Sequence, residues 1–194
     1  LSRPVKTRDL PEVLGLIRQQ SGLVRGALHG TMLRNDIYNF ARIGTFLERA
    51  DSTARILDVK YYVLLPAMTP VGSSLDNVQW ENILRSVGGA RSYRWLNGSD
   101  ITPMGIAEFL ILDGRMPRSI AFCIGKIMSN LGYLEKEYGG RPPCHQQAEA
   151  LLGQLANTSI EGIFERGLHE FILDFLSALA SLGAEIEQNY RFTE

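Results

Sequence analysis

The chain has 194 residues, 45% of them hydrophobic, and a formal net charge of −1 at neutral pH. This length and apolar content suffice for one sizeable hydrophobic core. Without a basic stripe, the chain lacks the electrostatic footprint of a nucleic-acid-binding protein. It shows no apolar run of membrane-spanning length and no signal peptide, so we expect a cytoplasmic protein without membrane contact.

The first part of the chain predicts two helices. Asp9 caps the first, and Pro11 fits its first turn. The second is a long central helix from Asn35 to Leu65, because two good N-cap residues open it and no proline follows until Pro66. The spacing of its apolar residues predicts one core stripe, formed by Phe40, Ile43, Phe46, Leu47, Ala50, Ala54, Leu57 and Tyr61. Towards its end Ile56, Val59, Val63 and Leu64 are apolar all round, which predicts that this end is buried or is covered by another part of the protein.

The remaining sequence predicts a series of helices separated by short Pro- and Gly-rich connections. The first connection contains Pro66, Pro70, Gly72, Ser73 and Ser74. The predicted helices begin at Asp76, Ala90, Pro103, Pro117 and Pro143. A final helix runs to about Tyr190 from the capping box Thr158-Ser159-Ile160-Glu161. We therefore predict an all-α bundle of about seven or eight helices around the long central helix, as a single domain over residues 1–194.

The central helix carries the densest polar cluster of the chain, with Glu48, Arg49, Asp51 and Arg55. Spacing alone favours a solvated face with weak i,i+4 ion pairs. The functional alternative is a charged groove that grips a carboxylate or phosphate. Arg49 stands apart because it lies beside the core stripe, where a buried arginine needs a partner. We expect that partner to be a carboxylate from another helix, among Glu108, Asp113 and Glu170, with Glu170 as first choice.

Three further candidate site residues lie outside the central helix: Arg118, His169 and Glu170. His169 and Glu170 lie in GLHEFILDF, which lacks the second histidine of a zinc-protease motif. A histidine satisfied by a neighbouring helix is the favoured interpretation there. Arg118 is predicted in the first turn of the helix that Pro117 opens, where a cation opposes the helix dipole. Trp80, Tyr93 and Trp95 are predicted to be core aromatics, although Arg91 and Arg94 alternate with Tyr93 and Trp95.

Several chemistries have no signature in the sequence. Neither a GxxxxGK[ST] nor a GxGxxG loop occurs, and neither a GxSxG elbow nor a Cys-His signature is visible. The two cysteines, Cys123 and Cys144, lack metal or redox spacing and are expected to stay reduced. We therefore expect no cofactor and no metal, and no independent catalytic activity.

Four blocks of the chain, taken in order, resemble the alpha-E domain family of bacteria. They are RGALHGTMLRNDIYNFARIGTFLERADSTARILDVKYYVLLP, DNVQWENILRSVGGARSYRW, ITPMGIAEFLILDGRMPRSIAFC and RGLHEFILDF. The glutamate and arginine of the family's ERA motif match Glu48 and Arg49, and Asp51, Arg55 and Asp58 match its continuation. Family members are typically longer, with an N-terminal part that carries its own ERAE-like helix. The resemblance therefore implies that this chain corresponds to the C-terminal portion of a member, or to a shortened version of one.

The resemblance also implies partners, because the family's genes usually lie beside those of an atypical ATP-grasp ligase and a transglutaminase-like cysteine peptidase. We expect a helical accessory domain that binds the ligase, its substrate or a peptide product. One alternative is a hydrolase or transferase on a small peptide or amino acid, using Glu48, Arg49, Arg55 and His169 in one pocket. Another is a structural oligomerisation module, and we expect a homodimer if an apolar surface is left uncovered.

Overall fold

The structure, a computed structural model, describes residues 6–64, 74–98 and 101–191, without side chains at 61–64 and 74–75. The expected loop at Pro66 to Ser73 and the side chains of Tyr61, Val63 and Leu64 lie outside the described part. The chain divides into two compact units, Leu1–Tyr38 and Asn39–Glu194. We describe each unit by itself, and the single domain stays a prediction.

The described residues form nine α-helices and no β-strand, which confirms the predicted all-α fold. A 3₁₀ turn at Thr7–Asp9 precedes them. In chain order the helices are α1 (Leu10–Thr31), α2 (Asp36–Leu64), α3 (Ser74–Ser86), α4 (Ala90–Asn97), α5 (Pro103–Ile111), α6 (Ile120–Tyr138), α7 (Pro143–Ala156), α8 (Ile160–Arg166) and α9 (Leu168–Tyr190).

The unit Leu1–Tyr38 contains α1 and the chain reversal into α2. The Arg34 guanidinium holds the reversal by donating to the carbonyl oxygen of His29 at 2.5 Å and lying 4.1 Å from the Tyr38 ring centroid. The Tyr38 hydroxyl lies 3.1 Å from Nδ1 of His29. One helix and one reversal cannot enclose a core, and α1 has no buried side chain within this unit.

Helix α2 begins and buries its stripe as predicted. The Asn35 side chain accepts a hydrogen bond from the backbone N–H of Tyr38 at 3.2 Å, which caps the first turn. The stripe is confirmed at five positions that are at most 2% exposed: Ile43, Phe46, Ala50, Ala54 and Leu57. The burial predicted for Val59 is wrong, because that side chain is 43% exposed. At about 100° per residue, Val59 lies roughly 160° from Leu57, on the solvent face.

The core of the larger unit lies between α2 and the later helices. The apolar seam of α6 is fully buried at Ile120, Ile124, Ile127, Leu131 and Leu134. Helix α6 packs against α7, and α7 packs against α9. Aromatic edges join α2 to both sides of this layer: Phe46 meets Phe122 of α6 with ring centroids 6.0 Å apart, and Phe40 meets Tyr190 of α9 at 5.1 Å.

The predicted final helix is wrong in one respect, because it is two helices that meet at Gly167. This glycine has φ +107°, a conformation that side chains rarely adopt, and the axes of α8 and α9 bend by 101° there. The capping box is displaced by one residue: Ser159, and not Thr158, caps α8 by accepting from the N–H of Gly162 at 3.1 Å. Among the described helices no single one is long and apolar enough to cross a membrane, and α8 with α9 meets that criterion only as a bent pair.

Candidate functional site

Helix α2 sends its polar side chains in three directions. At about 100° per residue, Arg49 and Thr53 lie on one edge of the core stripe, and Asp58 lies about 180° from Arg49 on the other edge. Glu48 and Arg55 point between the two edges, and both residues are exposed. The polar cluster of the sequence therefore divides into three separate structural features.

The first feature joins α2 to the connection between α5 and α6. The Arg49 Nη1 donates to the carbonyl oxygen of Pro117 at 3.0 Å, and the guanidinium lies 5.3 Å from the Phe46 ring centroid. The Thr53 hydroxyl donates to the next carbonyl oxygen, that of Arg118, at 2.8 Å. Thr53 is only 1% exposed, whereas Arg49 is half-buried. We expected Arg49 to meet a carboxylate; the bond that the structure describes goes to a backbone carbonyl.

The same connection is fixed from its own side. Arg115 binds the Asp113 carboxylate with two nitrogens, at 3.2 and 2.9 Å, and this arginine holds the pKa of the carboxyl below its usual range. Ser119 caps α6 through the N–H of Phe122 at 3.0 Å and donates to the Asp113 carbonyl oxygen at 2.5 Å. Residues 113–119 are thus held at both ends, which presents a well-defined surface turn.

Arg118 belongs to this turn and not to a helix. We predicted that α6 opens at Pro117, but its cap is Ser119, so Arg118 precedes the helix by two positions. The prediction that Arg118 lies in the first turn of α6, with its charge opposing the helix dipole, is therefore wrong. Arg118 is half-buried, and its backbone carbonyl is the group that Thr53 binds.

A buried thiol beside this corner is under the influence of three of the candidate charges. Burial raises the pKa of Cys123 to about 11; the charges of Arg49 and Arg118 act to lower the pKa and that of Glu48 acts to raise it. All three therefore lie within electrostatic reach of one sulfur. A thiol held in its protonated form is a poor nucleophile and a poor metal ligand. Cys123 is a core residue beside the corner, at 0% exposure.

The second feature is the solvated face between the edges. Arg55 pairs with Asp51 at 2.8 Å, with 66% of the arginine side chain exposed, and the Ser52 hydroxyl donates to Glu48 at 3.1 Å. Exposed i,i+4 pairs of this kind contribute little to stability, because solvent screens them. For Asp51 and Arg55, the structure therefore shows the exposed ion pair of a solvated face, which is the first of the two interpretations of the sequence.

The third feature connects α2 to α9. Nδ1 of His169 lies 2.6 Å from Oδ1 of Asp58, and the two side chains are 12% and 15% exposed. This confirms that His169 is satisfied by a neighbouring helix. Glu170 is the third residue of α9, and its carboxylate lies over Gly167 at the start of that helix. Since Asp58 is nine residues beyond Arg49, the two contacts are about 14 Å apart along α2 as well as on opposite edges.

Two contacts between distant parts of the chain were not predicted from the sequence. Thr53 binds a carbonyl oxygen beside the one that Arg49 binds, and its position one turn after Arg49 is the only signal that could have indicated it. Lys60 reaches Oδ1 of Asp76 at 2.6 Å, and that pair is almost buried. Within the described residues, no three His, Cys, Asp or Glu side chains are grouped to hold a metal ion.

The chain contains two Glu-Arg pairs, and their environments differ. Glu48-Arg49 has a half-buried arginine that reaches another part of the fold. In Glu165-Arg166 the arginine side chain is 63% exposed and pairs with the exposed Asp174. The first pair connects elements far apart in the sequence, whereas the second is a local surface contact.

Comparison with known proteins gives one match. Searches of curated proteins and of solved structures found none. A scan of protein families matches residues 2–190 to Alpha-E, described as a predicted alpha-helical domain with a conserved ER motif. The match takes in essentially the whole chain, which corrects our expectation that only a C-terminal portion of the family is represented. The chain therefore belongs to the Alpha-E family of helical domains.

Proposed function

We propose that this chain is a helical accessory domain of an ATP-grasp-linked amide-ligation or peptide-modification system in a bacterial cytoplasm. It binds the ligase, the substrate or the peptide product, and it supplies no catalytic group of its own. Its membership of Alpha-E and the gene neighbours that the resemblance implies support the setting. The observation that carries the binding role is the divergence of the α2 charges, which serve three separate contacts.

We propose further that Glu48-Arg49 is the ER motif of this chain and that its two members have different tasks. Arg49 fixes the 113–119 turn through the Pro117 carbonyl oxygen. Glu48 is exposed, and its charge acts on the buried Cys123 thiol, as that of Arg118 does. The corner of Glu48 and Arg118 thus offers both signs of charge on a fixed frame, and such mixed charge selects a partner's orientation more than it adds affinity.

The geometry favours this role over the enzyme alternative. A hydrolase or transferase built on Glu48, Arg49, Arg55 and His169 requires those groups to converge on one reacting atom. In the structure the Arg49 and His169 contacts lie on opposite edges of α2, and Arg55 is engaged by Asp51 on the face between them. The structural oligomer stays a prediction, which the mass of the chain in solution tests directly.

Co-elution with the neighbouring ATP-grasp ligase tests the proposal. We expect the chain and the ligase to elute together in size-exclusion chromatography, or the chain to change the turnover of the ligase. Glu48→Lys and Arg118→Glu should weaken the association. Lys136→Glu is a matched control, because Lys136 is exposed near the opposite end of α6. Separate elution together with unchanged ligase turnover would overturn the proposal, and so would equal weakening by the control.

A further inference from the structure

The surface of α4 carries an exposed tryptophan that the fold does not require. Trp95 is 84% exposed, although the sequence predicts a core aromatic; Trp80 and Tyr93 are buried as predicted, at 3% and 1%. The reason is angular: Trp95 lies about 200° around α4 from Tyr93, so both cannot face the core. A large apolar side chain in water adds nothing to the core, but tryptophan is among the residues that most often anchor protein partners.

A surface pocket lies directly beside this indole. Its volume is about 400 Å³, and its lining includes Arg91, Trp95, Phe109, Arg115, Met116 and Pro117. Phe109 and Met116 form an apolar floor, since they are 4% and 5% exposed. The mixture of aromatic side chains, methionine and arginine is the composition that distinguishes protein interfaces from the remaining surface.

Among the described residues that line the pocket, the charged ones are arginines, Arg91 and Arg115. Arg115 is matched by Asp113, but Arg94 and Arg85 share the single carboxylate of Glu81, at 2.6 and 2.9 Å. Arg91 lines the pocket and is exposed on α4. The described residues give its guanidinium no carboxylate within ion-pair distance.

Glu108 does not line this pocket. It lines a separate depression of about 360 Å³, which shares Leu96, Phe109 and Arg115 with the pocket but not Trp95 or Arg91. Within the described part of the chain, the lining of the pocket itself contains neither Glu108 nor Asp113. An incoming carboxylate next to an apolar group would therefore meet a cation at Arg91 and an aromatic face at Trp95.

We propose that this pocket is a docking site for an acidic peptide segment of a partner protein, with an aromatic or aliphatic side chain beside an aspartate or glutamate. The apolar side chain packs on Trp95 over Phe109 and Met116, and the carboxylate pairs with Arg91. The wall at Pro117 is held in place by Arg49 from α2, so the pocket exists before its ligand arrives. The site requires only a peptide-bearing partner and does not depend on association with a ligase.

Panning a phage-displayed library of random short peptides against the 194-residue chain tests this site. We expect the enriched peptides to combine an acidic residue with an aromatic or aliphatic one. Arg91→Glu and Trp95→Ala should each weaken their binding by about tenfold or more. Lys136→Glu and Tyr133→Ala are matched controls, because both residues are exposed on α6 and are not part of the pocket lining, and they should leave binding unchanged.

Tryptophan fluorescence locates the bound peptide. The chain has two tryptophans, and only Trp95 is open to a quencher such as acrylamide, since Trp80 is buried. An enriched peptide should therefore lower acrylamide quenching in the wild type and leave it unaltered in Trp95→Phe.

No enrichment, peptides without acidic residues, or quenching that the peptide does not alter would each overturn the proposal. Dimerisation of the free chain that Trp95→Ala abolishes would identify a second copy as the occupant and would also overturn it. Co-elution with the ligase is a separate measurement. A negative result there refutes the accessory-domain proposal and not the docking site, and a negative peptide result does the reverse.

Discussion

Replacing Arg49 by alanine tests how α2 is joined to the α5–α6 connection. The substitution removes the donor to the Pro117 carbonyl oxygen and the cation beside Phe46. It leaves the neighbouring bond, from Thr53 to the Arg118 carbonyl oxygen, in place. The expected loss in the free energy of unfolding follows from these contacts and from the half-buried position of the arginine.

The magnitude can be estimated term by term. A hydrogen bond from a charged donor contributes about 1.5–3 kcal/mol when it is well shielded, and a partly exposed cation beside an aromatic ring adds about 0.5–1 kcal/mol. Solvent screening at a half-buried site reduces both contributions. We expect Arg49→Ala to destabilise the protein by about 2 kcal/mol. Leaving a carboxylate buried without its cation would cost more, about 3–5 kcal/mol.

Urea denaturation followed by far-UV circular dichroism measures this loss. With a slope of about 2 kcal/mol per molar urea, the midpoint of Arg49→Ala should fall by about 1 M. Arg49→Lys should recover only part of the loss, because lysine lacks the planar fork of donors. In combination with Thr53→Val the losses should not add, because both residues hold the same turn. A loss above 3 kcal/mol would indicate a carboxylate partner, and a loss below 0.5 kcal/mol would refute the described contact as a stabilising one.

Three further predictions address other parts of the fold. Gly167→Ala should destabilise by about 1–3 kcal/mol in urea, because φ there is +107° and the new Cβ would meet the Glu170 carboxylate; an unchanged midpoint would contradict the strained junction. Burial lowers the pKa of His145 below its ordinary value, so stability should be complete above about pH 6.5 and decline as the pH falls below it, less steeply in His145→Gln; equal declines in both proteins would exclude this histidine as the cause. Burial raises the pKa of Cys123 and Cys144 to about 11, so Ellman's reagent should label both thiols slowly in native protein and rapidly in urea; fast native labelling would show that they are accessible.

The sequence by itself determined the features that depend on neighbouring residues. The cap at Asn35 is a local hydrogen bond, and the structure confirms it. The stripe of α2 and the seam of α6 are also local, because a long helix repeats its apolar spacing often enough to identify the buried face. Helix α4 has only eight residues, so its spacing could not decide between Tyr93 and Trp95. For that reason the one exposed tryptophan was predicted as core.

Only the tertiary structure decided what lies between distant residues. The sequence indicated that Arg49 needs a partner, but a backbone carbonyl 68 positions away carries no sequence signal, whereas carboxylates are visible and were therefore expected. Gly167 was visible as a glycine, but its positive φ and the turn between α8 and α9 depend on how both helices pack. The divergence of the α2 charges has the same origin. Helical periodicity places them around one axis, and packing against α9 and the α5–α6 connection determines which edge each charge serves.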